Sequence, residues 1–250
     1  MRGRLGDLAG RLVGAAGYEL VPIRPESLSD LDDEAAETYV RVAAYTMTTQ
    51  ERVAALCAAV THVEQHRIPG AIVECGVWRG GSMMAVAETL ARLGVTDREL
   101  YLFDTFAGMP SPGERDVRYG GEPAGDLLRS RQEGERVLAS ASLDDVRRNV
   151  LSAGYAADRI RFVEGLVEDT IPEQAPEKIA VLRLDTDWYE STRHELVHLY
   201  PRLSSGGVLI LDDYGCWLGA RQAVDEYIGE NSLQLLLTRI DSSGRLAVKP

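Results

Sequence analysis

The chain is predicted to fold as an α/β domain: a doubly wound, mostly parallel sheet with helices on both faces. Three observations carry this expectation. Apolar runs of strand length alternate with stretches of helical spacing from about residue 70 onward. A strand, a Gly-rich turn and a helix follow one another between residues 70 and 93, a setting in which backbone can approach a ligand closely. Finally, Ile179 to Leu184 and Gly207 to Leu211 are β-rich runs separated by the helically spaced Glu190 to Arg202, and each stops at acids. Asp185 and Asp187 follow the first run and Asp212 and Asp213 the second. A strand, helix, strand unit makes a parallel pair. Carboxyl ends of parallel strands share one edge, where α/β proteins bind ligands, so the four aspartates should converge there. Like charges packed that closely repel, and a hard divalent cation such as Mg²⁺ is the natural partner.

Composition bounds the rest. At 250 residues, 45% apolar and 26% charged, the chain is long enough for one sizeable domain with extensions. Its formal charge of -12, spread along the chain, leaves no basic face for phosphates. No nucleic-acid partner is expected, and a small neutral or cationic ligand is. No apolar run approaches the ~20 residues needed to cross a bilayer, and the Arg-bearing N-terminus lacks a signal-peptide core. A cytoplasmic protein without a membrane partner is expected. Cys57, Cys75 and Cys216 lie far apart without metal-type spacing and read as reduced, with Cys75 in the core.

In order, Leu5 to Ala16 is weakly amphipathic but broken by Gly6, Gly10 and Gly14. Asp30 to Tyr45 and Thr49 to His66 read as helices, the second capped by Thr48 or Thr49 with Glu51 in its first turn. They should fold over the sheet edge, so residues 1–66 are expected as an N-terminal helical extension and 67–250 as a single cofactor-binding domain. His62 and His66 read as a solvated helix face. Gly70 to Glu74 is the first strand; CGVWRGGS and a helix, Met83 to Leu93, follow. The turn is not the G-x-G-x-x-G of a nicotinamide site. Leu100 to Asp104 is the second strand, and its terminal acid is placed to accept the hydrogen bonds of a ribose diol. From Ala107 to about Val137 the pattern dissolves into Gly, Pro and charge, which reads either as a lid or binding loop over 107–137 or as a floppy insertion. Leu143 to Ala153 is a helix and Arg159 to Glu164 the third strand. Beyond the central unit come a helix, Arg221 to Ile228, and strands at Leu233 to Thr238 and Gly244 to Val248. Trp188, Tyr189 and Trp217 flank the acids and either stack on a sugar face or pack the rim.

Five motifs resemble the metal-dependent macrocin O-methyltransferase family, within the class I S-adenosylmethionine-dependent methyltransferases: VECGVWRGGS, LFDTFAGMP, EGLVEDTIP, LRLDTDWYEST and LILDDYG. The resemblance covers nearly all of the chain after about Tyr39, and its last two motifs together are the specific ones. It implies a Rossmann-like seven-stranded sheet with a reversed final strand. It also implies methyl transfer from S-adenosylmethionine to a hydroxyl of a sugar or related group on an antibiotic. Carried over residue by residue, Glu74 and Gly76 would line the methionine half of the cofactor, with Ser82 at its carboxylate. Asp104 would hold the ribose, and Gly165, Leu166 and Val167 would border the adenine. Met47 and Thr48 would close over the cofactor. Asp185, Asp212 and Asp213 would bind Mg²⁺, and Asp187 would be the general base. Catechol-type relatives carry a lysine three residues after the first metal aspartate, where this chain has Trp188, so His194 is kept as a second candidate for the base. A homo-oligomer with a small-molecule acceptor, a glycosylated natural product or sugar, is expected.

The chemistry fits these residues. Methyl transfer from a sulfonium is an in-line displacement that needs alignment and an outlet for the hydroxyl proton. A sugar hydroxyl is a poor acid, and binding to Mg²⁺ lowers its pKa. Two alternatives remain. A haloacid-dehalogenase-like phosphatase also uses Asp-x-Asp and Mg²⁺, but it places that motif at the end of the first strand and needs a lysine that the segment 188–211 lacks. A non-catalytic module with a cofactor pocket would leave the four aspartates without a purpose.

Overall fold

In the computed structural model, residues 31–130 and 140–250 are described. The Leu5 to Ala16 piece and the end of the 107–137 stretch lie outside them. Residues 34–250 form one compact unit. In chain order, α1 (Asp33–Val42) and α2 (Gln50–Gln65) precede β1 (Ala71–Cys75), α3 (Gly81–Arg92) and β2 (Leu100–Asp104). Then come α4 (Ala124–Arg129), α5 (Leu143–Ser152), β3 (Ile160–Glu164), α6 (Val167–Thr170) and β4 (Ile179–Leu184). The chain ends with α7 (Tyr189–Leu199), β5 (Leu203–Leu211), α8 (Leu218–Glu230), β6 (Thr238–Arg239) and β7 (Arg245–Val248).

The seven strands are ordered β3-β2-β1-β4-β5-β7-β6. Neighbours from β3 to β5 are parallel, and β7 runs antiparallel to both β5 and β6. This is the doubly wound sheet with a reversed last strand that the sequence predicts. Side chains alternate across a strand, and the core divides accordingly. Ile72, Val181, Val208 and Ile210 pack on one face with Val53, Leu56 and Val60 of α2. Val73, Cys75, Leu182, Leu184 and Leu209 pack on the other with Leu196 and Leu199 of α7 and Val224 of α8. Each fully buried aliphatic side chain contributes about 1.5–3 kcal/mol. The strand order reverses between β1 and β4, and the crevice beyond their carboxyl ends is the ligand position of such sheets.

One expectation needs correction. The strand expected over Leu233 to Thr238 is reduced to the two residues of β6. Leu233, Leu235 and Leu237 do alternate against the core, while Leu236 is 84% exposed, so the period of two reports packing without a hydrogen-bonded ladder. The patternless stretch after Ala107 also has structure. Val117 bridges Pro123, Arg118 bridges Trp217, and α4 follows. Ala124, Trp188, Trp217 and Ala220 form a small core under this stretch, with the two indoles edge to face at 5.0 Å. Trp188 and Trp217 are buried and pack this small core, and Trp217 also lines a cleft beside the acids.

Candidate active site

Backbone pairing continues past the strand ends: the Asp185 N–H donates to Cys75 O and the Asp212 N–H to Leu184 O, both at 2.9 Å. The acids of β4 and β5 are thereby held side by side. Asp185, Asp212 and Asp213 each offer an oxygen, all within 4.8 Å of one another. Asp187 joins them through its N–H, which donates to Asp213 Oδ2 at 3.2 Å. Burial pushes the carboxyls of Asp185 and Asp213 well above the usual range, and repulsion from neighbouring carboxylates adds to it. Burial and the Asp185 charge raise Asp187 to about 7.

Two arginines, neither of them a sequence-predicted site residue, neutralise part of this charge. Arg183 in β4 is 4% exposed. It pairs with Glu74, with Asp185 Oδ2 at 2.8 Å and with Asp212 Oδ1 at 2.7 Å. Arg52, from the first turn of α2, pairs with Asp212 and reaches Asp241 at 2.9 Å. Register places Glu74 directly beside Arg183 on adjacent strands. A readable signal existed: one acid and one base each interrupt an otherwise apolar strand at its next-to-last position, AIVEC and IAVLRL. Buried charges are tolerated when paired.

Two clefts meet at the acids. The first is lined by Gly76, Val77, Phe103, Asp104, Gly165 and Leu166, among others. The second, more open, is lined by Thr48, Arg52, Ser82, Tyr119, Arg183, Asp212 and Asp213, among others. Met47, Val77, Trp78, Met109, Asp185 and Asp187 border both. Asp104 accepts the N–H groups of Val77 at 2.6 Å, Trp78 at 3.0 Å and Phe106 at 2.8 Å, which ties the Gly-rich turn to the tip of β2. Gly76 has φ +82°, and a Cβ there would stand 1.9 Å from Asp185 O; only glycine allows that crossing. Thr48 and Ser82 line the second cleft rather than the first, and the Thr48 hydroxyl donates to Asp212 at 3.3 Å. Glu74 is enclosed by Arg183, and its Oε2 is buried without a hydrogen-bond partner. His194 borders neither cleft; its Nε2 meets Ile171 O at 2.9 Å.

The family described as macrocin O-methyltransferase (TylF) matches residues 24–247. The chain belongs to this family. This macrocin O-methyltransferase family member is similar to mycinamicin III 3''-O-methyltransferase of Micromonospora griseorubida, 36% identical over 211 residues, 84% of this chain and 80% of that one. It is also similar to 8-demethyl-8-(2,3-dimethoxy-alpha-L-rhamnosyl)-tetracenomycin-C 4'-O-methyltransferase of Streptomyces olivaceus, 38% identical over 201 residues, 80% and 74% of the two chains. The solved structure of the O-methyltransferase NovP matches with a TM-score of 0.73 at 33% identity over 97% of each chain. The macrocin O-methyltransferase assignment makes the chain an S-adenosylmethionine-dependent O-methyltransferase and sets aside both the phosphatase and the non-catalytic module. The residues present fit that cofactor: an apolar cleft at the sheet's switch point, an acid at the tip of β2, and an orphaned Glu74 oxygen beneath the Gly-rich turn. They also fit a hard cation, since three carboxylates converge.

Proposed function

We propose that this O-methyltransferase methylates a sugar hydroxyl of a glycosylated natural product, with Mg²⁺ held by Asp185, Asp212 and Asp213. The observation that carries this reading is the cluster of three carboxylates with oxygens within 4.8 Å on the wall between two clefts. The rhamnosyl-bearing acceptor in the name of one relative supports the substrate class. The cofactor supplies an electrophilic methyl group on a sulfonium. Bound Mg²⁺ would lower the pKa of the acceptor hydroxyl and fix its direction. The chain's own residues do the remainder. Gly76 and the Gly165–Leu166 corner shape the donor cleft, and Asp104 offers its carboxylate to the ribose. Asp187, on the wall that both clefts share, takes the hydroxyl proton, a contribution of about 10²-fold or more. Its carboxyl, raised to about 7, is matched to accepting a proton near neutrality. With His194 turned to Ile171, Asp187 is the base that this geometry supports.

The test uses purified protein, S-adenosylmethionine and two probe acceptors, mycinamicin III and the dimethoxyrhamnosyl tetracenomycin. Mass spectrometry should show one added methyl group on a sugar, lost on chelation and restored by Mg²⁺. Transfer that is indifferent to a chelator, or directed to the aglycone, would overturn the reading.

A further inference from the structure

We propose that two buried carboxyl side chains outside the acid cluster, Glu195 and Asp116, are positioning residues that clamp the turn carrying Asp187. The proposal rests on Asp187 as the base. Asp187 has φ +64°, and the Trp188 N–H donates across it to Thr186 O at 2.7 Å, so residues 186–188 make a tight three-residue turn. A three-residue turn with positive φ at its centre is rare and strained, and it persists only where surroundings over-determine it.

Both flanks of the turn are held by a carboxyl. On one side stands Glu195, from the middle of α7, with 0% exposure. Its two oxygens lie 3.0 and 3.2 Å from the Thr186 hydroxyl, and it is also bonded to the Cys75 thiol. Cys75 is the residue whose carbonyl receives the Asp185 N–H. Glu195 thus joins the tip of β1 to the turn after β4. Burial pushes its carboxyl well above the ordinary range, and the Thr186 hydroxyl is the partner that holds it. On the other side is Asp116, 2% exposed, from the stretch under which Trp188 and Trp217 pack. Its Oδ1 accepts the Tyr189 N–H at 2.8 Å and its Oδ2 the Gly113 N–H at 2.7 Å. At Trp188, α7 has no side-chain cap of its own, so Asp116 supplies from a distance what an N-cap residue usually does. Gly219 in α8 leaves it room, since a Cβ there would come within 2.3 Å of Asp116 Oδ1. A carboxyl with no exposure is a costly choice where leucine would fill the same space. Both costs fall on residues touching the turn that carries Asp187.

The test compares Glu195→Leu and Asp116→Ala, which remove the clamp, with Glu195→Gln and Asp116→Asn, which keep the acceptor oxygens. On a probe acceptor that the wild-type protein methylates, the first pair should lose about tenfold or more in kcat with KM and S-adenosylhomocysteine affinity unchanged, and the second pair should retain most of it. Thr186→Val should lose as much as Glu195→Leu, and the double variant no more than either, because both cut one link. Amide exchange at Asp187, Trp188 and Tyr189, measured without any acceptor, should speed up in Glu195→Leu and Asp116→Ala. If only melting temperature and cofactor affinity fall, while kcat and exchange at the turn stay put, the clamp is overturned. If the wild-type protein methylates neither probe but exchange at the turn still responds, the failure belongs to the proposed function and the clamp stands.

Discussion

Each carboxylate of the cluster carries a different electrostatic load, and the loads predict different outcomes for similar substitutions. Asp212 receives Arg183 at 2.7 Å together with Arg52, so Asp212→Asn leaves two enclosed guanidinium groups short of a partner. A loss of about 3 kcal/mol is expected. Asp213 instead accepts the Asp187 N–H and is raised by burial and by the Asp187 charge, so Asp213→Asn should relieve repulsion and raise the metal-free melting temperature. Both variants should abolish methyl transfer with S-adenosylhomocysteine affinity retained. Calorimetry with and without the cofactor product checks both halves, and melting shifts of equal sign would contradict the assignment of charges. Glu74 supplies a pH test. Burial, partly offset by Arg183, raises its carboxyl from 4.5 to about 7. The folded protein therefore keeps a proton that the unfolded chain releases, and stability should fall as pH rises from about 4.5 to about 7, then level off. Glu74→Gln should flatten that slope in a melting series.

At the level of elements, the sequence was informative wherever a period met a boundary. Strands β1 to β5 and helices α2, α3, α5 and α7 were legible because apolar residues recur at spacings that only one backbone satisfies. Thr49 accepts the Arg52 N–H at 3.3 Å, as its place ahead of α2 predicts. Residues 107–130 were opaque for a physical reason. Their order comes from long-range partners: Asp116 at α7, the Trp188 indole donating to Pro110 O at 2.9 Å, and Arg118 bridged to Trp217. No local period records such contacts. The same distance in sequence hid Arg52, Glu195 and Asp116. Trp217→Ala should accordingly free this stretch, and limited proteolysis should cut between residues 110 and 130 in the variant while sparing the wild type.

Across the whole molecule, two clefts share one wall, and the proposed division of donor from acceptor between them is measurable. S-adenosylhomocysteine at 100 times its dissociation constant should stabilise the wild-type protein and Asp213→Asn by about 2.7 kcal/mol. Asp104→Ala should show a much smaller shift, because the Val77 and Trp78 N–H groups lose their acceptor along with any ribose contact. An equal shift in Asp104→Ala would remove Asp104 from donor binding.

The reversed direction of β7 has a practical consequence. Because that strand opposes its neighbours, its beginning, not its finish, meets the catalytic edge. The Ser243 hydroxyl there donates to Asp212 O at 2.6 Å, and Asp241 grips Arg52. The Lys249 N–H, by contrast, reaches Gly207 O at 2.8 Å, at the opposite rim. A purification tag fused after Pro250 should therefore leave the chemistry untouched, whereas trimming the chain back to residue 240 would pull the scaffolding out from behind the aspartates.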